Sequence, residues 1–436
     1  MQKRSYRIVL ILSVVLFAFT SQLFATGQTE AGSSDGPEES YMRLAWWGNP
    51  VRDEKTIGVA NLYMDNNPNV KIETETTGWG GYWDRINTQV ASASLPDIMQ
   101  HDYAYMLQFV QRNILTDLTP YVDSGVIELG KVSETFLSGG RVDGKLYGIS
   151  LGTNAFSLVY DPTVLAAAGI AEPDSTSWTL KDFEEISMEI YKKTGKQTMP
   201  FSTTDPKVFF DNLIRQTGAS TYAKDGKSLG FTDTTVLKEF YNMQLRLLEA
   251  GVLVAPEIAF VTVTAEEGQL AQGNVWCDYI WSNQLASTQA VAENPLKMVL
   301  LPQIENAKRP GTFLKPSMFF SIPASAENPD EAARFLNFFL NDGAANDILA
   351  AERGVPIPSD VREALKASAS DVNKVVFDYI GLVADNSSAI DPPDPKASGE
   401  FLKLFRDTTQ EVLMGLISVD QGVEKIMKDG NAILAK

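Results

Sequence analysis

The sequence predicts an α/β protein of two or three domains whose first sheet is largely parallel. Three observations carry that prediction. Between Met42 and Asn113, short apolar stretches alternate with amphipathic ones in the order strand, helix, strand, helix, strand, helix. The rhythm restarts after an extended stretch, LGTNAFSLVYDP. The folded body, about 395 residues, is longer than one hydrophobic core usually serves.

The elements follow in order. Residues 1–25 place Lys3, Arg4 and Arg7 ahead of the apolar run IVLILSVVLFAF and end on a small residue. That is the pattern of a secretory signal peptide, with cleavage expected near Ala25, and the run is too short to span a bilayer comfortably. TGQTEAGSSDGPEES, residues 26–40, is too polar to order itself and reads as a flexible leader, so the body starts near Tyr41. MRLAWWG is a strand that ends at a Gly-Asn-Pro turn. KTIGVANLYMDNN is a helix with Ile57, Ala60 and Met64 on one face, and Val70 and Ile72 alternate with polar residues in the strand after it. GYWDRINTQVASAS carries Tyr82, Ile86, Val90 and Ala93 at helical spacing; LPDIMQHD is a third strand and YAYMLQFVQRN a third helix. In such sheets ligands bind beyond the carboxyl ends of the strands, which singles out the loops WWGNP, TGWGGYW and QHDY.

GGRVDGKLYGI is a hairpin turning at Asp143-Gly144. In SWTLKDFEEISMEIYKKTG, Thr179 and Asp182 form a capping box, and Leu180, Phe183 and Ile190 share a face. AKDGKSLGF is a second Asp-Gly hairpin, and TTVLKEFYNMQLRLLEAG is a helix closed by Gly251. GNVWCDYI, PLKMVLLPQI and SMFFSIPAS are strands. ENPDEAARFLNFFLND is a helix with Asn328 as its cap and Glu331 in the box position. The remainder is mostly helical, broken by RGVPIPS and DPPDP, and no internal repeat is evident.

The chain holds 37 basic and 55 acidic residues; without residues 1–25 the basic count falls to 34. So acidic a surface argues against nucleic acid and anionic membranes as partners. Cys277 is the single cysteine, so no internal disulfide forms, and its apolar setting in NVWCDYI reads as a buried core thiol. One Cys and one His leave no metal site to propose, and no phosphate-binding glycine loop suggests a nucleotide or other cofactor. GISLG matches the G-x-S-x-G nucleophile elbow at Ser150, but strand-like sequence follows it where a helix is needed, and His101 precedes it. His101 reads as a loop histidine near a cleft. No residue is assigned a catalytic role; a glycosidase carboxylate pair stays open among so many acids.

What stands out is aromatic residues at predicted strand ends: Trp46 and Trp47, Trp79, Tyr82 and Trp83, Tyr103 and Tyr105, Trp281. Flat rings suit the C–H faces of sugars, and Asn, Asp, Gln and Arg suit their hydroxyls. Trp276, inside an apolar strand, reads as core.

The order of AWWGNPVRDEKT, NPNVKIETETTGWGGYWDRINTQVASASLPDIMQHDY, LTDLTPYVDSG, VDGKLYGISLGTNAFSLVYDP, SWTLKDF, WSNQL, FLKPSMFFSIPAS, DEAARFLNFFLND and RGVPIP resembles the extracellular solute-binding proteins of bacterial ABC importers, in the sugar-binding family related to maltose-binding protein. That resemblance implies a type II-like periplasmic-binding-protein fold. Lobe one would comprise residues 41–153 and 285–342, and lobe two 154–284 and 343–436, with the chain crossing at LGTNAF. It implies a monomer that captures a carbohydrate between its lobes and delivers it to a membrane permease, without chemistry and without membrane insertion. Trp46, Trp47, Trp79 and Trp281 would stack on sugar rings, Trp47 being the more cleft-facing of the first pair. Asn49, Arg52, Asp102, Asn154 and Lys315 would bond hydroxyls, and Tyr82, Tyr103, Asn283, Ser317 and Arg353 complete the set. Arg52 has a rival role in a surface salt bridge near Asp53 or Glu54, and Arg52 with Lys315 also suits a uronate carboxylate. Thr26 stands where a lipoprotein of the family needs cysteine, which favours a free periplasmic protein. A secreted carbohydrate-active enzyme and a sugar sensor for a chemoreceptor or kinase are the alternatives.

Overall fold

The computed structural model describes residues 39–48, 50–201, 203, 205–261 and 267–436. The expected signal peptide, most of the expected leader and Asn49 lie outside the described residues. The chain is already in a strand at Ser40.

Ser40–Trp47 pairs in parallel with Val70–Thr77 along its whole length, Trp47 opposite Thr77. Ile98–His101 pairs in parallel along its other edge, Leu44 opposite Ile98. Two strands from farther along extend the sheet antiparallel: Phe319–Ser321 against Ile98–His101, then Ile149–Ser150. The parallel unit expected from the strand–helix rhythm is therefore present, with an antiparallel margin added by distant chain. Leu44, Ala45, Trp46 and Trp47 are all buried in succession, as on a strand covered on both faces.

Helix Pro50–Asn66 buries Thr56, Val59, Ala60 and Tyr63. That stripe is displaced from the expected one: Ile57 is exposed and Met64 half-buried. Tyr63 fixes the roll of the helix, its hydroxyl donating to Glu331 at 2.6 Å and its ring meeting Phe335 and Phe338. Helix Trp79–Ala91 buries Tyr82 and Ile86 but ends before Ala93, which turns the chain at a φ of 52°. Asn328 precedes helix Pro329–Asn341 without capping it, because its side-chain amide donates to the Tyr41 carbonyl; Glu331 bonds Tyr63 and Arg334 instead of closing a box.

A second sheet holds Phe156–Tyr160 between Lys297–Val299 and Cys277–Trp281, all antiparallel. Helices Leu180–Thr194, Pro206–Gln216, Thr235–Glu249, Ser398–Leu413 and Val419–Leu434 pack with it. The Thr179–Asp182 capping box forms as expected, and Cys277 is a buried thiol beside Thr198.

The apolar side chains form two cores. One draws on residues between Met42 and Ala155, on Leu300, on residues between Leu314 and Ile357, and from Phe377 to Val383; the other on residues between Phe156 and Leu301 and between Phe401 and Leu434. This two-lobed packing moves two expected boundaries. Leu285, Leu296 and Val299 join the second core, because Lys297–Val299 pairs with Phe156–Tyr160. Leu349, Val355 and Ile357 join the first, because helix Gly343–Leu349 rests on helix Pro50–Asn66, where Lys55 Nζ donates to the Ile348 and Leu349 carbonyls at 3.0 Å.

Candidate ligand-binding site

A cavity of about 680 Å³ is lined from both cores: Met318, Val355 and Phe377 come from the first, and Trp281 packs against the second. Three passages of chain form one wall. Thr153–Asn154 pairs antiparallel with Lys315–Pro316, Asn154 opposite Lys315, and Thr153 also bridges to Val355. Ser150 is thus followed by another strand, and its hydroxyl donates to the Gly152 carbonyl at 2.6 Å. Strand–turn–helix geometry is absent, so this serine is no nucleophile elbow.

Close packing holds the passages together. A Cβ on Gly152 would fall 2.4 Å from the Arg353 carbonyl oxygen. The adjoining turn contains two consecutive left-handed alanines, Ala350 and Ala351, at φ 47° and 55°, and Gly354 at φ 104°. Left-handed backbone costs a residue with a Cβ about 1 kcal/mol or more, and such strain concentrates at ligand clamps. Here it sets Glu352 and Arg353 in the cavity wall.

The charges in that wall are interlocked. Arg52 Nε donates to both Glu352 carboxylate oxygens at 3.1 Å, a partner 300 residues away in the chain. Arg353 donates through Nη2 to Thr56 Oγ1 at 2.8 Å, and its guanidinium lies 5.8 and 5.5 Å from the Phe320 and Phe339 ring centres. Burial, then the nearby Arg52 charge, pushes Arg353 down to about 9, so it stays cationic at neutral pH. Trp281 closes its strand half-buried, 5.4 Å from Phe156 and edge-on to it, with the Lys315 ammonium 4.8 Å from its ring centre. Ser317 lines the cavity while donating its hydroxyl to Gly152 at 2.9 Å.

The cavity therefore gathers seven of the expected residues: Arg52, Asn154, Trp281, Asn283, Lys315, Ser317 and Arg353. It also brings in Glu352, Asn373 and Phe377, which no motif singled out, and Gln284 from the WSNQL stretch. The remaining expected residues are placed elsewhere. Trp46 is fully buried, its indole N–H donating to Asp53 at 2.7 Å. Trp47 is buried in a ring cluster with Trp79, Tyr82 and Trp83 at 4.9, 5.2 and 5.8 Å, against the expectation of a cleft-facing ring. Tyr82 is core, its hydroxyl donating to the Gln100 carbonyl at 2.6 Å. Asp102 caps helix Tyr103–Gln111 by accepting from Ala104 N–H at 2.8 Å, and the Tyr103 hydroxyl donates to the Asp391 carbonyl. Trp79 alone of that cluster is broadly exposed, at 48%. His101 is not a loop residue; it ends a strand, fully buried against Phe109 and Trp83. Among the described residues, no group of three or more His, Cys, Asp or Glu is placed to hold a metal ion. Nor is any helix long and apolar enough to cross a membrane.

A two-lobed α/β protein with a cavity between its cores is the architecture of a solute-binding protein. The sequence model of the bacterial extracellular solute-binding protein family matches residues 45–346, and the chain belongs to that family. It is 25% identical over 211 residues to the arabinooligosaccharide-binding protein of Bacillus subtilis (strain 168), an alignment covering 47% of each chain, so it spans about half the length of that relative. It is 26% identical over 320 residues to the lactose-binding protein of Rhizobium radiobacter, covering 68% of this chain and 72% of that one. Among solved structures it superposes with a TM-score of 0.85 on an extracellular solute-binding protein family 1 from Alicyclobacillus acidocaldarius subsp. acidocaldarius DSM 446, at 28% identity over 92% of this chain and 100% of that one.

Proposed function

We propose that this protein is the substrate-binding component of an ABC importer, exported to the periplasm as a monomer, and that it carries a carbohydrate, in particular an oligosaccharide, to a membrane permease. The observation that carries the reading is the interlobe cavity, where one half-buried tryptophan, Trp281, stands among the amides of Asn154, Asn283, Gln284 and Asn373. A ring for the sugar's C–H face and amides that both donate and accept match a pyranose or furanose on all sides. The names of the relatives, arabinooligosaccharide- and lactose-binding, agree with it. The work is binding, not catalysis, and it needs no cofactor. Ligand closes the lobes only through its greater affinity for the closed state, and the closed form is what the permease receives. The test is titration with a panel of mono- and oligosaccharides, read by tryptophan fluorescence and thermal melting. A sugar that shifts both supports the reading. Silence with every sugar and a shift with a peptide or amino acid overturns it.

A further inference from the structure

The charge lining the cavity runs against that of the chain. The protein holds 55 acidic against 37 basic residues, yet among the described residues the lining carries Arg52, Lys315 and Arg353 with a single carboxylate, Glu352. That carboxylate is committed to Arg52 through both oxygens. Arg353 is only 4% exposed, its Nη1 lacks a hydrogen-bond acceptor, and the nearest Glu352 oxygen stands 3.7 Å from it. Two guanidiniums thus have Glu352 between them where water is largely excluded, with Asp53 acting on Arg353 electrostatically but without an ion pair to it, and an incompletely compensated buried cation is costly. Lys315 adds a third positive charge over Trp281. Asp394 acts on Lys315 electrostatically, but its ion pair, at 3.5 Å, is with Lys207.

We propose that the saccharide taken by this cavity carries a carboxylate, as a uronate unit does, with the carboxylate received by Arg353 and Lys315 beside the Arg52–Glu352 pair and the sugar ring against Trp281. The proposal rests on the carbohydrate reading and narrows it. An ionised carboxylate only accepts hydrogen bonds, and every cation here only donates. A neutral sugar would fill the same volume and leave the excess charge unanswered.

The experiment is calorimetric titration of the full exported protein with matched pairs: galacturonate and galactose, glucuronate and glucose, as monomers and as short oligomers, together with methyl esters of the acids. The acid should bind about tenfold or more tightly than its neutral partner, lose that margin on esterification, and weaken as salt rises. Lys315→Gln, at an exposed position, should cut affinity for the acid about tenfold and leave the melting temperature in place. Arg353→Gln endangers the fold, so Lys315→Gln and the esters carry the decision. Equal binding of acid and ester, or a neutral sugar bound as tightly as its acid, overturns the uronate proposal while the sugar reading stands. Binding of peptides but of no saccharide overturns both.

Discussion

Trp46 and Trp47 sit side by side on a strand covered on both faces, so alternation sends them to opposite sides without exposing either. Trp46 anchors the first helix through Asp53, and Trp47 is walled in by three rings. Trp47→Ala should therefore lower unfolding free energy by about 3–5 kcal/mol. Trp281→Ala, at a half-buried ring in the cavity wall, should lose much less stability and most of the sugar affinity. Urea denaturation and sugar titration of the two variants decide the matter; the reverse pattern would move the site to Trp47. His101 supports a different prediction. Its ring is buried against Trp83 and Phe109, and burial, opposed only in part by the Asp102 backbone, lowers it from 6.5 to about 3. Between those values the unfolded chain holds a proton that the folded one refuses. Stability contributed by this group is full above pH 6.5 and falls with acidification toward pH 3, at up to about 1.4 kcal/mol per pH unit. His101→Leu should flatten the slope of unfolding free energy against pH in that window, and an unchanged slope would show that His101 does not titrate there.

At the scale of elements, local signals were readable and distant partnerships were not. Thr179 and Asp182 lie three residues apart, and their reciprocal cap forms as read; Thr179→Ala should cost about 1 kcal/mol in thermal unfolding. Asp143 and Gly144, both at positive φ, make the expected hairpin turn. Helix Pro206–Gln216 escaped notice although Lys207, Asp211 and Arg215 recur at helical spacing, because that polar face is turned inward to partners far along the chain, Asp394 for Lys207 and Asp391 for Arg215. The cavity was half legible for the same reason. Trp281 and Asn154 announced themselves at a strand end and a crossing, but Glu352 acquires its meaning only when folding brings it to Arg52. The tight contact between the crossing and the strained turn is likewise invisible in sequence. Gly152→Ala tests it: a Cβ 2.4 Å from the Arg353 carbonyl oxygen must part the two segments. The expected loss is about 1–3 kcal/mol in urea denaturation, together with weakened ligand binding. Wild-type values of both would mean that the crossing tolerates displacement.

At the scale of the whole molecule, the relation of the lobes depends on what fixes the passages between the cores, and one side chain reaches two of them. Arg215, fully buried on helix Pro206–Gln216, donates through Nε to the Gly311 carbonyl at 2.8 Å, in the passage between Leu301 and Leu314. Through Nη2 it donates to Ser388 Oγ and the Ala389 carbonyl at 2.6 and 2.7 Å, and through Nη1 it pairs with Asp391 at 2.6 Å, all in the passage between Val383 and Phe401. Its guanidinium also lies 5.0 Å from the Phe313 ring centre. The Asp391 carbonyl in turn receives the Tyr103 hydroxyl from the first lobe. A planar fork with donors in fixed directions can serve all these acceptors at once; an ammonium at the end of a lysine chain cannot. Arg215→Lys keeps the charge and removes the geometry. It should lower unfolding free energy by about 3 kcal/mol, speed amide exchange in residues 308–314 and 386–391, and reduce ligand affinity, because loosened passages enlarge the set of lobe arrangements the ligand must narrow. If Arg215→Lys unfolds like the wild type and exchange in both passages is unchanged, the relation of the lobes is set by the cavity wall alone, through Thr153, Lys315 and Val355.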